Sequence, residues 1–264
     1  MGKPRIFWPR WPEIALGTAR SVYDPAPLRA LLERLVDFDR LNSGELRLTI
    51  VATDVESGEA MVFDNRAGCR IRTDHLIASC GLMPEFPAVE IEGRLAGDGA
   101  FVANAPIGFA LEGDDLEHDL TCILVDAFSS GGRRPATIEQ AAGRSEELLF
   151  GNQTRKALKS LAREHGLRKS IRALESRLAA ARGAADDGAP PARAPANGNA
   201  TVRIVHLSHR PAPDESGHGR PFDFSRHALF ERWDAGYRDM QEGLRLYGAG
   251  GAATSNGVSL SIWR

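Results

Sequence analysis

The residues of this sequence best placed to do chemistry sit in LAGDGAFVANAP, Leu95 to Pro106, where the carboxylate of Asp98 lies between Gly97 and Gly99. Glycines on both sides let a carboxylate approach other backbone or a reactive group closely. In that setting it can orient or deprotonate a nucleophile. An Asp-Gly pair equally fits an Asx-turn or a hairpin loop with no chemistry. The two readings separate only if a nucleophile can be found.

None of the serines supplies one in the expected form. A serine hydrolase on an α/β sheet presents its nucleophile in G-x-S-x-G at a strand-to-helix turn, and no serine here lies between glycines at that spacing. Ser79 has Gly81 two positions after it but Ile77 two before. Ser129 and Ser130 precede Gly131 and Gly132 on the wrong side. The cysteines, Cys69, Cys80 and Cys122, are odd in number and show no C-x-x-C spacing, which argues against a disulfide framework or zinc site and fits reduced thiols in a cytosol. Cys80 comes nearest to an elbow, but a small buried residue is the plainer account. His206 and His209, three apart at a strand, point to opposite faces. His218 reads as a solvated loop residue, and His75 as a residue that caps or packs a short helix. No metal and no cofactor are expected.

The elements that must position Asp98 follow from patterning. Asp24-Pro25 reads as a helix start, with Leu28, Leu31, Leu32, Leu35 and Val36 marking an amphipathic helix to about Phe38. Residues 45–55 read as a strand, nearly continuously apolar in its second half as in a buried strand. Glu56-Ser57-Gly58-Glu59 reads as a hairpin turn into a second strand over 60–63. Thr73 to Ser79 is predicted as a short helix, with Thr73 or Asp74 near its cap. Leu120 to Ala127 is predicted as an interior strand. Residues 136–182 are helix-rich, with Leu167, Ile171, Leu174 and Leu178 on one face. Residues 183–200 have the Ala/Pro/Gly composition of a disordered linker. Val202 to Leu207 reads as a strand, and 224–247 as a helix capped by Ser225. The Gly/Ala/Ser-rich stretch 248–264 reads as a flexible tail. Alternating strands and helices make the class α/β.

Composition adds boundaries. The chain has 264 residues, 42% of them hydrophobic, and a formal net charge of -2. That gives no global argument for a nucleic-acid partner. There is no apolar run long enough for a spanning helix and no secretory leader pattern. Arg155, Lys156, Lys159, Arg163, Arg168, Lys169, Arg172 and Arg177 accompany only Glu164 and Glu175. Such a helix can lie on an anionic membrane, and a solvated surface face accounts for the same charges. The aromatic loop Phe7-Trp8-Pro9-Arg10-Trp11 is a second stretch that suits either an interface or a cover over the core.

Three separated blocks then resemble one family in the right order. They are YDPAPLRALLERLVDFDRLNSGELRLTIVATDVESGEAMVFDNR, HLIASCGLMPEFPAVEIEGRLAGDGAFVANAP, and VRIVHLSHRP with FDFSR and ERWDAGYRDM after it. They resemble bacterial patatin-like phospholipases over most of residues 5–245, apart from the linker. The subgroup resembled carries an extra C-terminal patatin-associated region. The resemblance implies a lipid acyl ester hydrolase with a Ser–Asp dyad on an α/β sheet. Asp98-Gly99-Ala100 matches the family's Asp-Gly-Ala motif, so the resemblance gives Asp98 the role of dyad base. Asn104 and Pro106 match the small-residue turn that follows. The family's glycine-rich oxyanion loop and serine elbow are not found in this sequence, and the block IASCGLMPEFP departs from the usual form at Cys80 and Glu85.

The resemblance therefore implies an incomplete patatin-like sheet flanked by helices, with a helical C-terminal extension. Residues 1–135 would be the C-terminal portion of the patatin domain, 136–182 the helical extension, and 201–247 the patatin-associated strand and helix. The chain is expected to lack catalysis by itself, because a lone aspartate without nucleophile or oxyanion donors cannot carry acyl transfer. An uncovered side of the sheet is expected as well. The expected partners are a lipid or acyl ester, a peripheral membrane contact, and a fragment or paralogue carrying the serine elbow. The expected location is cytoplasmic. The alternatives are a non-catalytic lipid- or protein-binding module and one half of a split hydrolase.

Overall fold

A computed structural model describes residues 6–111, 119–128, 130–183, 202–208, 225–248, 253–255 and 258–263. The linker reading over 184–200, the assignments of Ser129, His209 and His218, and the block FDFSR up to Phe224 lie outside the described residues. The chain divides into two compact units, Met1–Ala110 with Gly217–Glu231 and Leu111–Ser216 with Arg232–Arg264. Both mix strands and helices, in keeping with the α/β class.

The first unit begins with a two-residue strand β1 (Trp8–Pro9), helix α1 (Trp11–Ala15) and strand β2 (Tyr23–Asp24), which pairs antiparallel with β1. Phe7 is buried, its ring 4.7 Å from Tyr23 and 5.5 Å from Phe86. The aromatic loop thus divides, because Trp8 and Trp11 remain exposed. The carboxylate of Asp24 accepts a hydrogen bond from Ala26 N at 2.9 Å, and α2 (Ala26–Leu35) follows. This helix stops before Phe38 because Val36 turns extended. Asp37 then caps a new short helix, α3 (Phe38–Leu41), by accepting from Arg40 N at 3.0 Å.

Strands β3 (Thr49–Asp54) and β4 (Ala60–Asp64) form the expected hairpin. The turn works because Asp54 Oδ1 accepts from Glu56 N and Ser57 N, while Gly58 takes a φ of +74°. That φ is open to glycine at no steric cost. The strand is shorter than residues 45–55, since Asn65 holds the chain before it with bonds to Leu41 O, Leu46 O and Leu48 N. Helix α4 is Thr73–Ser79, as predicted. Thr73 and Asp74 stand next to its cap, which is Arg72, whose N donates to His75 Nδ1 at 3.0 Å. His75 also stacks on Phe63, so it caps and packs at once.

Strands β5 (Val89–Ile91) and β6 (Arg94–Gly97) complete an antiparallel sheet of order β4-β3-β6-β5. Ile50 faces Phe63 and Ala52 faces Met61 across the hairpin, and these side chains share a core with Ile71, Ala78, Ile91 and Ala96. Residues from Ile50 to Asp54 are all buried, which is the burial expected of a strand covered on both faces. Helices α5 (Ala100–Ala103) and α6 (Ile107–Leu111) follow β6.

In the second unit, β7 (Leu120–Asp126) and β8 (Val202–Ser208) run parallel, as do β8 and β10 (Val258–Trp263). β9 (Ala253–Ser255) pairs antiparallel with β10, giving the order β7-β8-β10-β9. Two expectations are corrected here. Among the described residues β7 is an edge strand rather than an interior one, paired by β8 on one side, with Ile123 and Val125 exposed. The tail read as flexible contains β9 and β10; β10 finds its backbone partner in β8, and β9 finds its own in β10.

Between β7 and β8 runs α7 (Ile138–Gly183), and between β8 and β9 runs α8 (Arg226–Gly248). Ser225 caps α8 by accepting from Ala228 N at 3.2 Å. A Cβ added at Gly243 would lie 2.8 Å from Leu207 and 3.2 Å from Val205, so this glycine lets α8 pack close on β8.

Candidate active site

Asp98 sits at a strand-to-helix junction. β6 ends at Gly97, and Gly99 is the N-cap of α5. The geometry explains both glycines. A Cβ at Gly99 would lie 2.2 Å from the Val51 carbonyl oxygen, far inside any tolerable contact, and one at Gly97 would lie 3.2 Å from Val55 Cγ2. The turn is thus pressed against the backbone of β3, which no larger residue at position 99 permits.

A ring of hydrogen bonds fixes this turn. Asp98 N donates to Gly81 O at 3.2 Å, and Gly99 N donates to Ser79 O at 3.3 Å. Thr53 Oγ1 donates to Asp98 O at 2.7 Å. Ser79 Oγ donates to Val51 O at 2.8 Å, tying the end of α4 to the same strand. Thr53, Gly81 and Val51 were not singled out in the sequence. They come together from segments more than ten residues apart, and no local pattern marks them.

The carboxylate itself forms an Asx-turn, with Oδ1 accepting from Ala100 N at 2.7 Å. Burial pushes its pKa above the ordinary carboxylate range, against that hydrogen bond, which pulls it down. A general base benefits from such a raised pKa. Both readings of the motif are therefore visible together: the Asx-turn exists, and it holds a partly buried carboxylate whose proton affinity is raised.

No hydroxyl described near Asp98 is set up as its nucleophile, since those of Thr53 and Ser79 both point at backbone carbonyls. Cys80 is another nucleophile type beside the turn, close enough for its thiol to feel the Asp98 charge. Its thiol donates to Leu76 O at 3.1 Å, and burial of the sulfur first, then the Asp98 charge, pushes its pKa up to about 11. A thiol at that value is almost wholly protonated near neutrality and is a poor nucleophile.

Asp64 and His206 are ionisable groups held within the fold. Asp64 accepts from Arg47 Nε at 2.7 Å, Thr49 Oγ1 at 2.7 Å and Arg66 N at 2.8 Å. These bonds overcome burial and hold its pKa down at about 2. His206 Nε2 lies 3.5 Å from Asp126 Oδ2 across β7 and β8, a pairing that strand register produces and sequence spacing hides. Among the described residues no cluster of His, Cys, Asp and Glu is suited to hold a metal ion. No described helix is long and apolar enough to cross a membrane.

Fold and turn together define an α/β protein with an aspartate presented where a strand gives way to a helix. A comparison adds one finding: residues 148–247 match the family model described as patatin phospholipase, so the chain is similar to that family over this region. The match spans the distal part of α7, β8 and most of α8, and does not include Asp98. No curated protein matches the chain.

Proposed function

We propose that this chain supplies the aspartate half of a Ser–Asp lipid acyl hydrolase. Asp98 is the general base, and Gly99 and Ala100 form its supporting turn. The observation that carries this reading is the buried, glycine-pressed turn that raises the proton affinity of Asp98 while leaving it partly accessible. In the reaction, Asp98 accepts the proton of a serine hydroxyl as its oxygen attacks an acyl carbonyl. It returns that proton to the departing alcohol, and water then releases the acyl group. The 264 residues contain no G-x-S-x-G. The serine and its oxyanion donors would come from a separate segment, a fragment or a paralogue.

The test is hydrolysis of p-nitrophenyl acyl esters by the purified chain. Alone, it is expected to match its Asp98→Ala variant at the background rate. Robust activity abolished by Asp98→Ala would show that a nucleophile resides in these residues and would overturn the split-dyad reading. A second reading, a non-catalytic binding module, is favoured by one observation: the family match lies wholly outside the Asp98 turn.

A further inference from the structure

Helix α7 changes character along its length. In its first half, Phe150, Thr154 and Leu158 recur every four residues and are buried, with the Phe150 ring 4.8 Å from Phe128. In its second half, Leu167, Ile171, Leu174 and Leu178 recur at spacings of four, three and four, and each is at least 52% exposed. At 3.6 residues per turn these four fall within a stripe about 60° wide. It lies on a different side of the helix from the buried residues, so core packing does not account for it.

Charge frames the stripe. Between Arg155 and Leu178 there are eight cations and two carboxylates, in a chain whose net charge is -2. Glu164 is already engaged by Arg168 at 2.6 Å. Lys159, Arg163 and Arg177 flank the stripe on one side and Arg168 on the other, by the helical period. The local positive field registers on His165. Its pKa is lowered first by burial and then by Lys169, Arg172 and Arg168.

We propose that residues 156–178 of α7 dock on an anionic lipid surface, with the Leu/Ile stripe entering the interface and the flanking Arg and Lys side chains meeting headgroup phosphates. An aliphatic stripe bordered by basic side chains that can snorkel is the physical signature of an interfacial helix. A second copy of the same helix is disfavoured, because pairing along the stripe would oppose two strongly positive segments. Nucleic acid would satisfy the charges but leave the aliphatic stripe in water, and the stripe contains no aromatic ring for base stacking. The inference does not rest on Asp98.

The test is co-sedimentation of the full chain with vesicles of phosphatidylglycerol and phosphatidylcholine, against phosphatidylcholine alone. Binding is expected only to the anionic vesicles, and it should weaken about tenfold or more between low and high salt. The double variant Ile171→Gln/Leu174→Gln should lose about tenfold in partitioning, and so should Arg163→Gln/Arg168→Gln. All four side chains are exposed in the free chain, so circular dichroism should show both variants folded. Asp98→Ala should bind like the unsubstituted chain, which separates this surface from the proposed dyad. Equal binding to both vesicle types, or binding unchanged in the two double variants, would overturn the proposal. So would a dimer in sedimentation equilibrium that the stripe variant abolishes while no vesicle binding is seen.

Discussion

Replacing Gly99 with alanine adds one methyl group where the fold has no room. That carbon would lie 2.2 Å from the Val51 oxygen, 3.0 Å from the Val51 carbonyl carbon and 3.7 Å from Ala52 N. Ordinary carbon–oxygen contacts begin near ~3.3 Å, so the overlap is about 1 Å. The obstacle is backbone, and a rotamer change cannot relieve it. Either β3 or the start of α5 must move. Movement loosens Gly99 N to Ser79 O, Ser79 Oγ to Val51 O and Thr53 Oγ1 to Asp98 O. Overpacking costs about 1–3 kcal/mol, and each weakened hydrogen bond up to about 1 kcal/mol. The expected loss is therefore about 2–4 kcal/mol, read as a lower urea midpoint. Gly108→Ala is the matched control, because nothing lies within 4 Å of its added carbon and the site is in α6. There alanine should stabilise by up to about 1 kcal/mol. If Gly99→Ala were as stable as the unsubstituted chain, Asp98 would not be pressed against β3 and the positioning argument would fail.

Three further outcomes follow from the same geometry. The raised pKa of Asp98 means the folded chain holds that proton to higher pH than the unfolded chain. Stability should therefore fall as pH rises from about 4 through the raised value. Asp98→Asn keeps the Asx-turn acceptor and should raise the thermal midpoint at pH 7 while changing little at pH 4. Asp64 has the opposite sign: its stabilisation is present above the unfolded pKa and is lost as pH falls from about 4 through about 2. Asp64→Asn should cost about 2–3 kcal/mol at neutral pH in chemical denaturation and flatten that acid limb. Cys80 should react slowly with iodoacetamide at pH 8 although the residue is exposed, and Asp98→Asn should speed it, since removing the neighbouring charge lowers the thiol pKa. Mass-spectrometric rate measurement on the Cys80 peptide checks this, and an unchanged rate would place Asp98 away from the thiol.

Local chemistry was what the sequence displayed well. The β3–β4 turn is readable because Asp54, Ser57 and Gly58 carry its hydrogen bonds and its positive φ within five residues. The Ser225 cap and the bounds of α4 are legible for the same reason. The run LTCILVD announces a strand but not its place, because edge or interior depends on what pairs with it. The glycine-rich tail gives no local sign of β10, whose partner lies more than forty residues away in β8. At the candidate site, Asp98 and its glycines stood out by type and spacing. The reason for Gly99 did not, since it is a single oxygen of Val51 brought in by the sheet. The proximity of Cys80 to Asp98 likewise follows from the end of α4 lying beneath the turn.

The central claim is that Asp98 is a general base waiting for a serine. It is tested most directly by mixing the chain with a separately produced polypeptide that carries a glycine-rich loop and G-x-S-x-G, and by following p-nitrophenyl ester hydrolysis. The expected result is activity that neither polypeptide shows alone and that falls about 10²-fold or more when Asp98 is replaced by Ala. Activity in the mixture that is indifferent to Asp98→Ala would contradict the account.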